Sequence, residues 1–75
     1  SYTCIQLMFE EPIGFKKAYS EETGEFQTLR KIGSHSYAKE NEKGRESIYY
    51  YKNGILQTAK IDAGIIEFEL HLQPL

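Results

Sequence analysis

One cysteine in 75 residues leaves Cys4 without an internal disulfide partner. A lone thiol also argues against the disulfide-dense scaffolds of small secreted domains. With two histidines besides, no Cys/His cluster has the spacing of a structural zinc site. Long apolar runs are missing: nothing approaches the roughly 18 residues that a membrane span requires. No charged-then-apolar leader opens the chain, and a soluble, cytoplasmic protein is the expectation. An excess of one charge is lacking too. Nine Lys/Arg stand against eleven Asp/Glu, for a net charge of −2. The balance holds in each half, which sets aside the global basic field of most nucleic-acid binders while leaving room for a local patch.

A chain this short is one domain, and it buries only about 60–65% of the surface its unfolded form exposes. Without a disulfide or a metal as staple, it needs a well-packed sheet or a second copy of itself.

Catalytic arrangements are equally scarce. Ser34 and Ser36 flank His35, but sequence neighbours on a strand point to opposite sides and make no nucleophile–base pair. His35 and His71 have no placed carboxylate or cysteine partner. Cys4 has no neighbouring base to activate it and reads as a structural thiol. Glu67 and Glu69 stand two apart on one strand face and read as solvated rather than as an acid/base pair. The six glycines are isolated and form no phosphate-cradling loop. The expectation is a protein that is not an enzyme and carries no cofactor or metal.

What is present is strand patterning. Residues 2–9, "YTCIQLMF", alternate Thr3, Ile5, Leu7 and Phe9 against Tyr2, Cys4, Gln6 and Met8 and predict a first strand. Pro12 and Gly14 then break it. Residues 15–20 and 25–32 flank "EETG" and predict a hairpin that sets Tyr19 opposite Phe26 and Lys17 opposite Thr28. The alternative is a helix over residues 20–32, with Phe26, Leu29 and Ile32 three apart. Residues 38–46, "AKENEKGRE", predict an exposed and flexible loop.

The densest signal lies in residues 47–72, "SIYYYKNGILQTAKIDAGIIEFELHL". Asn53–Gly54 predicts a two-residue type I′ turn, pairing Lys52 with Ile55, Tyr51 with Leu56, Tyr50 with Gln57, Tyr49 with Thr58 and Ile48 with Ala59. In the last strand Ile66, Phe68, Leu70 and Leu72 must be the buried set. An even-length loop before it aligns Ile61 with Ile66 and Ala59 with Phe68, and sets Lys60 opposite Glu67 and Thr58 opposite Glu69. Carried through by strict alternation, this register places Ile48, Tyr50, Ile55, Ala59 and Ile61 inside. It turns Tyr49, Tyr51 and Leu56 outward, next to His71.

The fold expected is all-β: a small antiparallel meander of about five strands, as an open barrel or a one-layer sheet. The alternative is α+β, with residues 20–32 as a helix on a four-stranded sheet. For function, the outward cluster Tyr49, Tyr51, Leu56 and His71 predicts a protein-interaction module that pairs with another copy of itself or with another protein. A second possibility is nucleic-acid binding through Phe15, Lys16, Lys17, Arg30 and Lys31, which the hairpin register gathers at one end.

Overall fold

A computed structural model describes residues 2–41, 43–62 and 67–72. Six strands follow one another as an antiparallel meander in a single open sheet: β1 Lys17–Ser20, β2 Glu25–Lys31, β3 Ser36–Glu40, β4 Glu46–Lys52, β5 Ile55–Asp62 and β6 Glu67–His71. The protein is thus a small all-β domain, and its sheet does not close into a barrel. One short helix, α1 (Cys4–Leu7), precedes the strands. No helix among the described residues is long and apolar enough to cross a membrane.

The β1–β2 hairpin forms in the expected register, with Tyr19 opposite Phe26 and Lys17 opposite Thr28. Gly24 takes the positive φ of 74° that closes its four-residue loop. The Tyr19 and Phe26 rings meet edge to face at 5.3 Å, and the Lys17 ammonium lies 4.3 Å from the Phe26 centroid. The helix over residues 20–32 does not form.

Three expectations are corrected. The first concerns residues 2–9, where a helical turn replaces the strand. Thr3 and Gln6 supply the reason, a reciprocal capping box. The Thr3 hydroxyl accepts from the Gln6 N–H at 3.1 Å, and the Gln6 side-chain oxygen accepts from the Thr3 N–H at 3.0 Å. Residues 2–15 then run as a strap over one face of the sheet. The strap is tied at one end by the Tyr19 N–H donating to the Tyr2 carbonyl (2.8 Å) and at the other by the Glu11 N–H donating to the Gly54 carbonyl (3.0 Å).

The second concerns residues 38–46. Ala38 is 1% exposed and belongs to β3, which continues to Glu40. Charged residues sit comfortably in this strand because Lys39 lays its stem against the ring of Tyr49, 5.9 Å from Nζ to centroid. The turn shrinks to residues 41–45, where the Asn41 side-chain oxygen accepts from the N–H groups of Lys43 and Arg45.

The third sets the two faces. Asn53 and Gly54 form the tight turn with φ of 55° and 77°, and Lys52–Ile55 and Tyr51–Leu56 pair as expected. Directly beyond, a β-bulge shifts the register, so that Tyr50 faces Thr58, Tyr49 faces Ala59 and Ile48 faces Lys60. Gln57 is the extra residue, and a bulge breaks strict alternation on its own strand. Leu56 therefore shares a face with Ala59 and Ile61 instead of opposing them, and Tyr49 and Tyr51 turn inward with it. Tyr49, Tyr51, Leu56 and Ala59 are all at most 5% exposed, whereas Ile55 is 65% exposed. Tyr50, expected in the core, is half-buried on the opposite face beneath the Lys60 ammonium.

Between β5 and β6 the even parity holds, but each partner shifts by two: Ala59 faces Leu70, Ile61 faces Phe68, Lys60 faces Glu69 and Thr58 faces His71. The Lys60–Glu69 ion pair spans 3.6 Å. The expected inward placement of Ile66 lies outside the described residues.

The core thus lies between strap and sheet. Tyr2, Leu7 and Pro12 press down from the strap onto Ala18, Leu29, Tyr37, Tyr49, Tyr51, Leu56 and Ala59.

Candidate interaction site

The residues proposed as an outward cluster divide. Tyr49, Tyr51 and Leu56 are core residues, so the external aromatic surface assigned to them is not there. Tyr51 is the centre of a buried polar seam. Its hydroxyl donates to the Leu7 carbonyl at 2.5 Å, and its ring meets Tyr37 edge to face at 5.7 Å. The Tyr2 hydroxyl donates to the Glu10 carbonyl. Burial raises the pKa values of Tyr2 and Tyr51 and pushes Tyr37 up to about 12, so all three serve as neutral donors. Tyr51 ties the sheet to the strap's backbone, Tyr37 ties it to the Glu11 side chain, and Tyr2 braces the strap internally.

Glu11 completes this seam. Its carboxylate is 4% exposed and accepts from the Tyr37 hydroxyl at 2.6 Å, with His35 Nδ1 at 3.1 Å from both oxygens. Burial alone pushes this carboxyl up. The hydrogen bonds from Tyr37 and His35, with the charges of His35 and Lys31, outweigh burial and hold the pKa below its ordinary value. A lowered native pKa stabilises the fold fully above the ordinary glutamate pKa of about 4.3, and that contribution is lost as the pH falls through the lowered value. Tyr37→Phe should therefore lower stability by about 1.5–3 kcal/mol at neutral pH. It should also flatten the acid dependence of the urea midpoint, because Glu11 loses a bond that favours its charged form. An acid limb as steep as in the wild type would show that other carboxylates carry it.

The five candidate nucleic-acid residues are only partly assembled. Lys17 and Arg30 share the face opposite the strap, but Lys17 caps Phe26, and Arg30 pairs with Glu46 at 3.0 Å. Phe15 lies instead against the strap residue Tyr2, at 4.8 Å. Lys16 and Lys31 are exposed at the strand ends. Glu40 and Glu46, on the same face, intersperse this basic group with acid.

His71 does stay on the surface, on β6, where its ring lies 3.3 Å from Glu69. The two edges of the sheet differ. On β1 the strap adds a parallel bridge from Thr3 to Tyr19, which covers that edge at Tyr19. On β6 the Leu72 N–H donates inward to the Gln57 carbonyl at 2.8 Å. By strand alternation the N–H groups of Glu67, Glu69 and His71 point outward, and among the described residues no backbone pairs with them. Leu70 and Leu72 lie alongside, 37% and 44% exposed on the core side of the sheet. This combination, an open edge beside exposed leucines, has a sequence signal in the alternation of "EFELHL". What hid it was the pull of the three tyrosines.

The core face also holds a cavity of about 920 Å³ between α1 and the far ends of β1–β5. Met8, Tyr49 and Ile61 give it apolar walls, and Cys4 and Lys39 meet inside it, with Nζ 4.0 Å from Sγ. Burial pushes the Cys4 thiol up, which the Lys39 charge only partly offsets, so the thiol is a poor nucleophile at neutral pH. No group of three or more His, Cys, Asp or Glu among the described residues is arranged to hold a metal.

Comparison with curated proteins and with solved structures finds no match. The family model for a domain of unknown function, DUF6134, matches residues 1–73, and the chain belongs to that family.

Proposed function

We propose that the domain is a non-enzymatic protein-interaction module whose partner is a second copy of itself, joined by antiparallel pairing of β6 with β6. The observation that carries this is the asymmetry of the sheet: the strap pairs with the outer edge of β1 at Tyr19, whereas among the described residues no backbone pairs with the outer edge of β6. An unpaired edge is a ready template for strand addition. A two-fold axis at Leu70 supports the choice of partner. It sets His71 opposite the second copy's Glu69 on one face and brings the two Leu70 side chains together on the other. Both outer faces then carry complementary cross-strand pairs.

Light scattering after size exclusion, over a range of concentrations, tests the proposal. The wild-type mass should rise from one chain to two. His71→Pro deletes an outward N–H and none that bonds β5, and Leu70→Lys places a charge on the axis. Both should stay monomeric with wild-type circular dichroism. A wild type that remains a monomer, or a His71→Pro variant that dimerises as the wild type does, would falsify β6 pairing.

A further inference from the structure

We infer that the cavity between α1 and the sheet binds an amphipathic carboxylate, with the carboxylate held by Lys39 and the apolar part lying against Met8, Tyr49 and Ile61. At about 920 Å³ it falls within the range of roughly 300–1,000 Å³ typical of small-molecule sites. Such sites combine apolar walls with a few convergent polar groups. Most buried polar groups here are already committed. The Ser20 hydroxyl accepts from the Thr23 N–H, the Ser47 hydroxyl accepts from the Asp62 N–H, and the Gln27 side-chain oxygen accepts from the Cys4 thiol at 3.7 Å.

Lys39 is different. It rises from β3, one of the two central strands of the sheet, half-buried, and its ammonium meets only the Cys4 sulfur and the Tyr49 ring among the described residues. Neither is an anionic acceptor, so a half-buried cation stands beside the apolar walls with no carboxylate paired to it among the described residues. The Arg45 guanidinium lines the same cavity with no carboxylate paired to it among the described residues. Of the acidic residues of the lining, Asp62 sits half-buried at the end of β5, where its N–H donates to the Ser47 hydroxyl. Glu21 and Glu22 are exposed in the β1–β2 turn, at the mouth. Lys39 also outweighs Glu21 in its effect on the Cys4 thiol, so at the thiol the cation is the stronger of those two charges. A ligand carrying one carboxylate and an apolar body complements that order, and a neutral or cationic one of equal size does not.

Cys4, the sole thiol, reports occupancy directly. Alkylation of Cys4 by iodoacetamide is followed with decanoate, decanol or decyltrimethylammonium present, each below its micelle threshold. Decanoate at ten times its Kd should slow the reaction about tenfold, and the other two should protect far less at the same concentration. Lys39→Met keeps the stem on Tyr49 and should weaken decanoate binding about 10–100-fold. Lys39→Arg should restore it, and Lys60→Met, on the opposite face, should leave it unchanged. Equal protection by decanol, no protection by decanoate, or wild-type affinity in Lys39→Met each overturns the inference. If Lys39→Met loses native circular dichroism, the ranking of the three ligands on the wild type decides. Protection should also persist in the Leu70→Lys variant, so failure of β6 pairing and failure of ligand binding are read separately.

Discussion

Tyr51→Ala should lower the stability of the domain by about 3–5 kcal/mol. The total stability of a 75-residue chain is on the order of 4–11 kcal/mol, so this one substitution removes a large share of it. Two effects add. The ring is 5% exposed and packs between Tyr37 and the strap, so its removal leaves a cavity under Leu7. The hydroxyl is also the donor that satisfies the Leu7 carbonyl at 2.5 Å. Tyr51→Phe separates the two, keeping the ring and losing the bond, and should lower stability by only about 1–3 kcal/mol. Tyr50→Ala is the control from the same strand. Tyr50 is half-buried on the other face, and its loss should lower stability by about 1 kcal/mol. Urea unfolding followed by circular dichroism gives all three values. An alternation uninterrupted by a bulge predicts the reverse order, with Tyr50→Ala severe and Tyr51→Ala nearly silent. That order would remove the bulge at Gln57 from the structure.

The contrast between those tyrosines shows how far the sequence carries. Local chemistry was readable wherever one residue dictates a conformation. Asn53–Gly54 fixes its turn, Gly24 closes the first hairpin, and the register of β1 on β2 follows from the length of "EETG". The parity of β6 on β5 was readable too, because Phe68, Leu70 and Leu72 demand one face. Alternation fails between Leu56 and Ala59, where one unpaired residue reverses the phase. Nothing in "ILQTAK" announces a bulge: Gln57 is polar, and polar residues suit either side of it. The energetic reason appears only in three dimensions. With the bulge, Leu56 and Ala59 both reach the core, and three tyrosine hydroxyls find strap carbonyls or Glu11. Without it, either Leu56 or Ala59 would be spent on solvent. The strap was hidden for a similar reason. "TCIQLMF" satisfies a two-residue period, and the capping box at Thr3 and Gln6 competes with that period over only one helical turn. Lys39 was lost inside a run of charged residues, since composition alone cannot tell a solvated lysine from one that lies over a buried ring.

Leu7→Ala tests that strap most sharply. Leu7 is the one fully buried side chain of α1, at 0% exposure, whereas Ile5 and Phe9 are 57% and 65% exposed. In a strand these three would share one face, and truncating any of them would be comparably harmful. In the strap, only Leu7 points into the cluster of Tyr37, Tyr49 and Tyr51. Leu7→Ala should therefore lower stability by about 2–5 kcal/mol, while Ile5→Ala and Phe9→Ala stay within about 0.5 kcal/mol of the wild type. Loosening of the strap should also be visible before global unfolding. The N–H groups of Tyr19 and Glu11, which tie its two ends to the sheet and turn at 2.8 and 3.0 Å, should exchange with solvent faster than those of β3 and β4 in the Leu7→Ala variant. If those two amides instead stay as protected as the central strands, strap and sheet unfold as one unit. In that case Leu7 contributes to global stability alone. Equal losses from Leu7→Ala, Ile5→Ala and Phe9→Ala would restore the strand over residues 2–9 and remove the roof of the cavity with it.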